Sequence, residues 1–390
     1  MMGKYGGSAF LLVYLMLTLF FAVPALMAEM RLGMLSRKGT VDALRLGMGN
    51  HVGTFFGYLL LAVVTIAGSY YAVVVANVVY SALFAAVPGF ADSTNSLYHR
   101  YLGVGWLQYG ITLTLILVSL YVIDRGLASG IERISRKAMP VFFFVLLYMI
   151  VHALMLPDAL PAFGEFLQPD LSVLGVPEVF AALGQAFFSV GLGGTFVVTY
   201  ARYLSENENV PRVAMFTGLG DASASLLFSL FLIPSILALG ADMASGPALI
   251  FDTFPKLFAL MPGGRVVAPL FLLSITVVAF LSLVAAFEVP YASLQHERPD
   301  LNKRIILVGI GVVQAILALP SSLFPSIIGH LDLIFGSGMQ VLGSTLCILG
   351  LTWGIKGGDR SIVGIWTRWV IPFALMAVLV TYLVDILSVE

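Results

Sequence analysis

Two features of this sequence carry chemistry where chemistry is costly: a glycine-rich break and a carboxylate, both set in apolar surroundings. In Gly184-Gln185-Ala186-Phe187-Phe188-Ser189-Val190-Gly191-Leu192-Gly193-Gly194-Thr195, three of the four residues from Gly191 to Gly194 are glycine. Glycine loosens a helix because it has the most backbone freedom to lose on folding. At membrane depth the freed N–H and C=O groups must then face a cavity, an ion or a ligand, because lipid offers them no partner. The competing reading is a groove of small residues through which helices pack closely, and glycine spacing does not decide between the two. Asp221 lies inside a second long apolar run. A carboxylate there is expensive and marks a functional site by default, the bland alternative being a protonated Asp bonded to Ser225 one turn away. Glu29 stands near the end of another apolar run, where it can meet Arg31 or water, which favours a structural role over the alternative of a coupling one. His152 and His330 have no ligand-spaced partner, and no catalytic triad or phosphate loop occurs in a suitable context, so an enzyme reading finds no support.

The elements that position these residues must be membrane spans. Hydrophobic residues make up 59% and charged residues 11% of the 390, and mean hydropathy is +1.00, far from the roughly 45–50% apolar content of soluble domains. A helix of about 20 apolar residues crosses the hydrocarbon core because its backbone satisfies itself. About ten such segments follow one another, near 8–34, 51–87, 105–123, 139–157, 179–204, 212–239, 266–295, 305–324, 331–355 and 362–387. No polar linker separates halves, so residues 1–390 read as one transmembrane domain in contact with the lipid bilayer. A formal net charge of −1 offers no footprint for nucleic acid, and the single cysteine, Cys347, cannot build a disulfide framework.

Positive residues retained in alternate loops set the sidedness. One side carries Arg31, Arg37, Lys38, Arg45, Arg125, Arg133, Arg136, Lys137, Arg202, Arg212, Arg298, Lys303, Arg304, Lys356 and Arg360; the other carries Lys4, Arg100, Lys256 and Arg265. The first side is cytoplasmic, and the acidic stretch from Asp158 to Glu178 falls outside. Ten spans then leave both termini outside, an oddity that a missing inward-starting helix would remove.

The segment from Gly184 to Tyr203 resembles the unwound sixth helix of the neurotransmitter:sodium symporter family, in its prokaryotic amino-acid transporter branch. Gly6-Gly7-Ser8-Ala9-Phe10 with Pro24 and Glu29, Tyr70-Tyr71, Arg125-Gly126 with Gly130-Ile131-Glu132-Arg133 through Met139-Pro140, and Met261-Pro262-Gly263-Gly264 match other family segments in order. The resemblance implies an all-α, polytopic inverted-repeat bundle. Its first repeat covers about 1–157, its second about 179–355, and an extra helix about 362–387. The family's first helix, itself broken and bearing an Asn and an Arg-Phe-Pro motif, precedes the glycines that here begin at Gly6. The expectation is therefore that the first helix of the first repeat is absent from an N-terminally truncated sequence.

The resemblance also implies a site. Tyr71 corresponds to the tyrosine that binds a substrate carboxylate, with Ala67, Phe188, Gly191, Gly194 and Phe287 lining the side-chain pocket. Gly194 stands where the family usually has a large residue, which implies room for a bulky apolar or aromatic amino acid. Ser189 and Asp221 fall at the first sodium site, whose oxygen ligands suit a hard cation. The Ala279 carbonyl and Ser282 fall at the second, where Leu283 departs from the usual paired hydroxyls and Glu288 and Pro290 anchor registers one residue apart. Tyr14, Gln185, Ser189 and Ser225 match the chloride-holding positions of chloride-dependent members. The fixed charge of Asp221 beside them would repel a second anion, so chloride independence is expected. Asp332 matches the acidic half of an outer gate, an exposed Asp at a helix start being equally consistent. The expected function is sodium-coupled symport of a small apolar or aromatic amino acid at the cell membrane, with sodium as the only ion and no organic cofactor. The alternatives are a non-transporting remnant or accessory or sensing subunit, and a proton-coupled carrier of the same architecture. Oligomeric state is not legible.

Overall fold

A computed structural model describes residues 7–157, 159–240, 248–355 and 362–388, and the regular elements among them are all helical. Lys4, Gly6, Asp158, Lys356 and Arg360 lie outside the described residues. In chain order the helices are α1 (Gly7–Ser36), α2 (Thr40–Met48), α3 (Asn50–Ala86), α4 (Asp92–Leu102) and α5 (Gly105–Arg125). Next come α6 (Leu127–Leu154), α7 (Ala159–Phe166), α8 (Val176–Ser189), α9 (Phe196–Ala201) and α10 (Val210–Leu239). The series ends with α11 (Ala248–Leu260), α12 (Gly264–Glu297), α13 (Lys303–Leu323), α14 (Ile327–Gly354) and α15 over 362–388.

Seven of these, α1, α3, α5, α10, α12, α13 and α14, are long and apolar enough to cross a bilayer unaided. An eighth span arises if α6 and α7, bent by 99° at their junction, count as one. The α8–α9 pair and α15 occupy the two remaining apolar segments, so each expected span falls on helix. The α8–α9 span is broken, so neither half alone is long enough to cross. Hydropathy did not foresee α2, α4, α7 and α11, which are too short to cross and lie in the connections.

The helices are apolar on nearly every face, so burial separates centre from periphery. The most apolar window of α3 is 61% buried, against 28% for α5. α3 is accordingly the central post, packed against α2, α5, α12 and α13, while Phe55 and Phe144, 66% and 75% exposed, belong to the lipid-facing exterior.

Two local devices shape α1. Pro24 has no N–H to offer the carbonyl of Phe20 four residues back. The helix widens to a π turn over Thr18–Ala22, and the Phe20 carbonyl instead accepts from Trp366 Nε1 at 2.8 Å. Lower down, Gly33 lets α9 approach closely, since a Cβ there would lie 2.4 Å from the Val198 carbonyl oxygen. The half-helix α9 thus rests directly on α1.

Candidate functional site

The glycine run breaks its span. α8 stops at Ser189, α9 starts at Phe196, and between them Gly191, Gly193 and Gly194 hold φ of 71°, 157° and 73°, a region costly for any residue bearing a Cβ. The freed backbone groups find a partner the sequence reading had placed elsewhere. Glu29 is fully buried, and its Oε1 accepts from the Gly193 and Gly194 N–H groups at 3.1 Å each. Its Oε2 accepts from Gly194 at 3.1 Å as well. This corrects the pairing of Glu29 with Arg31 or water: its position on α1 turns it inward, beneath the break. The available signal was the charge itself, an acidic residue among apolar ones.

At the end of α8 the structure brings together several residues from the predicted ion sites. Ser189 Oγ donates to Asp221 Oδ2 at 2.6 Å. The Tyr14 hydroxyl lies 3.2 Å from Ser189 Oγ and 3.3 Å from the same carboxylate oxygen, with Ser225 also in hydrogen-bonding reach of Tyr14. Asp221 therefore bonds to residues on two other helices, Tyr14 on α1 and Ser189 on α8. Gln185 lies one turn before Ser189 on α8 and is half-buried.

The residues assigned to substrate fall on α3, α8, the break and α12. Tyr71 is half-buried, with its hydroxyl in reach of Ser282, so one substrate position and one sodium position adjoin. Ala67 sits a turn before Tyr71 and is half-buried. Phe188 is 43% exposed, and Gly191 has open space where a Cβ would be. Phe287 is fully buried in the packing between α3 and α12, where a Cβ on Gly68 would meet its ring at 3.3 Å. Gly194 differs from the expectation of spare volume. A side chain there would meet Cys347 Sγ and the Gly343 carbonyl at 2.8 Å, so α14 already fills that space. On α12, Ala279 is half-buried and Ser282 exposed, while Leu283 is buried in the core on another face.

Asp332 is not an exposed helix start. It is half-buried within α14 at the head of a π turn over Asp332–Gly338, and its Oδ1 accepts from the Tyr70 hydroxyl at 3.1 Å. The sequence reading also missed an ion pair: Arg202 Nη2 donates to Glu288 Oε1 at 2.9 Å, joining the residue after α9 to α12.

A model of the sodium:neurotransmitter symporter family matches residues 86–326. The chain belongs to that family. An uncharacterised sodium-dependent transporter of Haemophilus influenzae is 26% identical over 330 residues, covering 80% of this chain and 72% of that one. A second, from Methanocaldococcus jannaschii, is 27% identical over 382 residues, 91% of this chain and 76% of that one. Human sodium- and chloride-dependent creatine transporter 1 is 32% identical over 139 residues, 33% of this chain and 22% of that one. Among solved structures, that of MhsT in complex with L-phenylalanine superposes with a TM-score of 0.88 at 24% identity, covering 97% of this chain and 92% of that one. That likeness establishes the family's helical bundle fold. Family membership makes the protein a multi-pass membrane transporter of a sodium-coupled class, and its relatives are transporters rather than enzymes.

Proposed function

We propose that the protein is a symporter that carries a small apolar or aromatic amino acid together with sodium, by alternating access and without chloride. The observation that carries this reading is the hydroxyl and carboxylate cluster of Tyr14, Ser189 and Asp221 at the lip of the break between α8 and α9. In the proposed site sodium takes oxygen ligands from Ser189 and Asp221, and a second ion takes them from the Ala279 carbonyl and Ser282. The substrate carboxylate bonds to Tyr71, and its side chain lies against Ala67, Phe188, Gly191 and Phe287. Gly194 serves the site by letting the break approach α14. The L-phenylalanine in the MhsT complex supports an apolar or aromatic substrate here.

Sodium would favour the outward-open form by binding it better, and substrate would complete the cluster that allows closure. The Asp221 charge already sits among Tyr14, Ser189 and Ser225, and repulsion in this low-dielectric setting disfavours a chloride beside it. The two proposed repeats, about 1–157 and 179–355, would move against each other around this centre, with Asp332 and Tyr70 on the outer route.

The test is uptake of radiolabelled phenylalanine or leucine by the purified protein in proteoliposomes under an inward sodium gradient. Uptake is expected to vanish when choline replaces sodium and to persist when gluconate replaces chloride. Uptake driven by a pH gradient without sodium would overturn the sodium reading, and collapse in gluconate would overturn chloride independence.

A further inference from the structure

One cavity bordered by described residues is not at the break. It lies where the Arg- and Lys-rich ends of four helices converge: the end of α1, the start of α10, the end of α14 and the start of α15. Its volume is about 610 Å³, within the range of roughly 300–1,000 Å³ typical of small-molecule sites. The lining combines two chemistries. Met27 and Leu351 belong to an apolar wall, while Arg31, Arg368, Glu206 and Glu208 supply two positive and two negative groups. Neither arginine forms an ion pair among the described residues. Among the described residues Glu206 pairs with Arg37 alone, at 3.7 Å with its side chain 89% exposed, and Glu208 accepts a 3.4 Å hydrogen bond from Ser205.

A purely anionic ligand would satisfy the arginines but face both carboxylates, and a purely apolar one would satisfy neither pair. A molecule with an inner phosphate, an outer primary ammonium and an apolar tail matches all three features. Guanidinium groups bind phosphate through charge-assisted hydrogen bonds, and an ammonium has three N–H donors for carboxylates. The positive-inside rule places this end of the bundle at the cytoplasmic leaflet, and neighbouring Leu35 and Ile365, 57% and 55% exposed, offer acyl chains an outward path.

We propose that this cavity binds one aminophospholipid from the cytoplasmic leaflet, its phosphate held by Arg31 and Arg368, its ammonium by Glu206 and Glu208, and the start of its acyl chains by Met27 and Leu351. Such a lipid ties α1, which carries the Glu29 support of the break, to α10, which carries Asp221.

The proposal is tested on the full chain without reference to transport. The delipidated protein is incubated with equal amounts of dioleoyl phosphatidylethanolamine, phosphatidylcholine and phosphatidylglycerol in micelles, and retained lipid is counted by native mass spectrometry. One phosphatidylethanolamine per chain is expected to survive collisional activation that strips the other two. R31Q/R368Q should lower its retention at least tenfold. E206Q/E208Q should erase the preference over phosphatidylcholine, whose trimethylammonium has no N–H to donate. Met27→Trp keeps every charge but fills the apolar wall and should also abolish retention; each variant is read only where it elutes as the wild type does. Equal retention of the three lipids, or unchanged phosphatidylethanolamine retention in R31Q/R368Q and in Met27→Trp, overturns the proposal. Displacement by an equal concentration of soluble phosphorylethanolamine also overturns it, because the acyl chains would then contribute nothing.

Discussion

Asp221 is held by two hydroxyls at 2.6 and 3.3 Å, yet neither brings a positive charge to balance a carboxylate set in a membrane span. A cation arriving beside it would supply that balance, which is why the residue is expected to couple transport to sodium rather than merely to hold the helices together. Asp221→Ala should abolish sodium-driven uptake while protein yield and elution profile persist; sodium-dependent uptake at wild-type rate would refute the assignment. Tyr71 is expected to give a different signature. Removing its hydroxyl with Tyr71→Phe deletes one hydrogen bond to a charged group, worth about 1.5–3 kcal/mol. The KM for substrate should therefore rise about tenfold or more, with sodium dependence unchanged, as read from uptake at graded substrate concentrations. At this scale much of the site was visible in sequence, because an acid or a tyrosine in an apolar run advertises its cost. What stayed hidden was pairing. Nothing in the spacing of Tyr70 and Asp332 announces that they meet at 3.1 Å, since the approach of α3 to α14 depends on packing across the whole bundle.

The broken span is held by its neighbours, and this can be measured at the scale of the element. Glu29→Leu would leave the Gly193 and Gly194 N–H groups buried without acceptors, at about 1–3 kcal/mol each. Glu29→Gln keeps one carbonyl oxygen and should cost about half as much. Gly194→Ala adds a Cβ 2.8 Å from the Gly343 carbonyl at φ of 73°, combining a steric clash with left-handed strain of about 1–2 kcal/mol. Gly220→Ala, whose Cβ meets nothing within 4 Å on a regular helix, serves as the control and should be neutral or stabilising by about 1 kcal/mol. Thermal unfolding in detergent should rank wild type above Glu29→Gln above Glu29→Leu, with Gly194→Ala well below Gly220→Ala. A Gly194→Ala variant as stable as the control would mean that α14 does not press on the break. Three glycines foretold where this span would open. They could not foretell Glu29 as its support, because hydropathy assigns a residue to a span without fixing which way its turn faces. The short helices α2, α4, α7 and α11 escaped for a related reason: none is a stretch of about 20 apolar residues, the length by which hydropathy recognises a span.

For the whole molecule, alternating access requires contacts that close one side and can be broken. Arg202 and Glu288 have the properties of such a contact. The Glu288 side chain is 3% exposed and that of Arg202 16%, yet the two share only one close bond. Glu288 Oε1 accepts from Arg202 at 2.9 Å and from the Tyr203 hydroxyl at 3.3 Å, while Glu288 Oε2 and Arg202 Nε have no partner. Arg202 also donates to the Tyr203 hydroxyl and lies 4.6 Å over its ring, but the desolvation of two charges offsets much of what these contacts give, which suits a contact that must reopen. It joins the foot of α9 to α12, and Arg37 steadies the α9 side by donating to the Arg202 carbonyl at 3.1 Å. Removing one partner strands a buried charge, so Glu288→Gln or Arg202→Met should destabilise the protein by about 3–5 kcal/mol, whereas the paired replacement R202M/E288M should be neutral or stabilising by about 1–4 kcal/mol. Thermal unfolding of the four proteins gives the coupling as a double-mutant cycle. Turnover supplies the second half of the test: an apolar seam would close well but reopen slowly, so R202M/E288M should bind substrate while transporting it several-fold more slowly. A double variant as active as wild type would show that the pair braces the bundle without gating it.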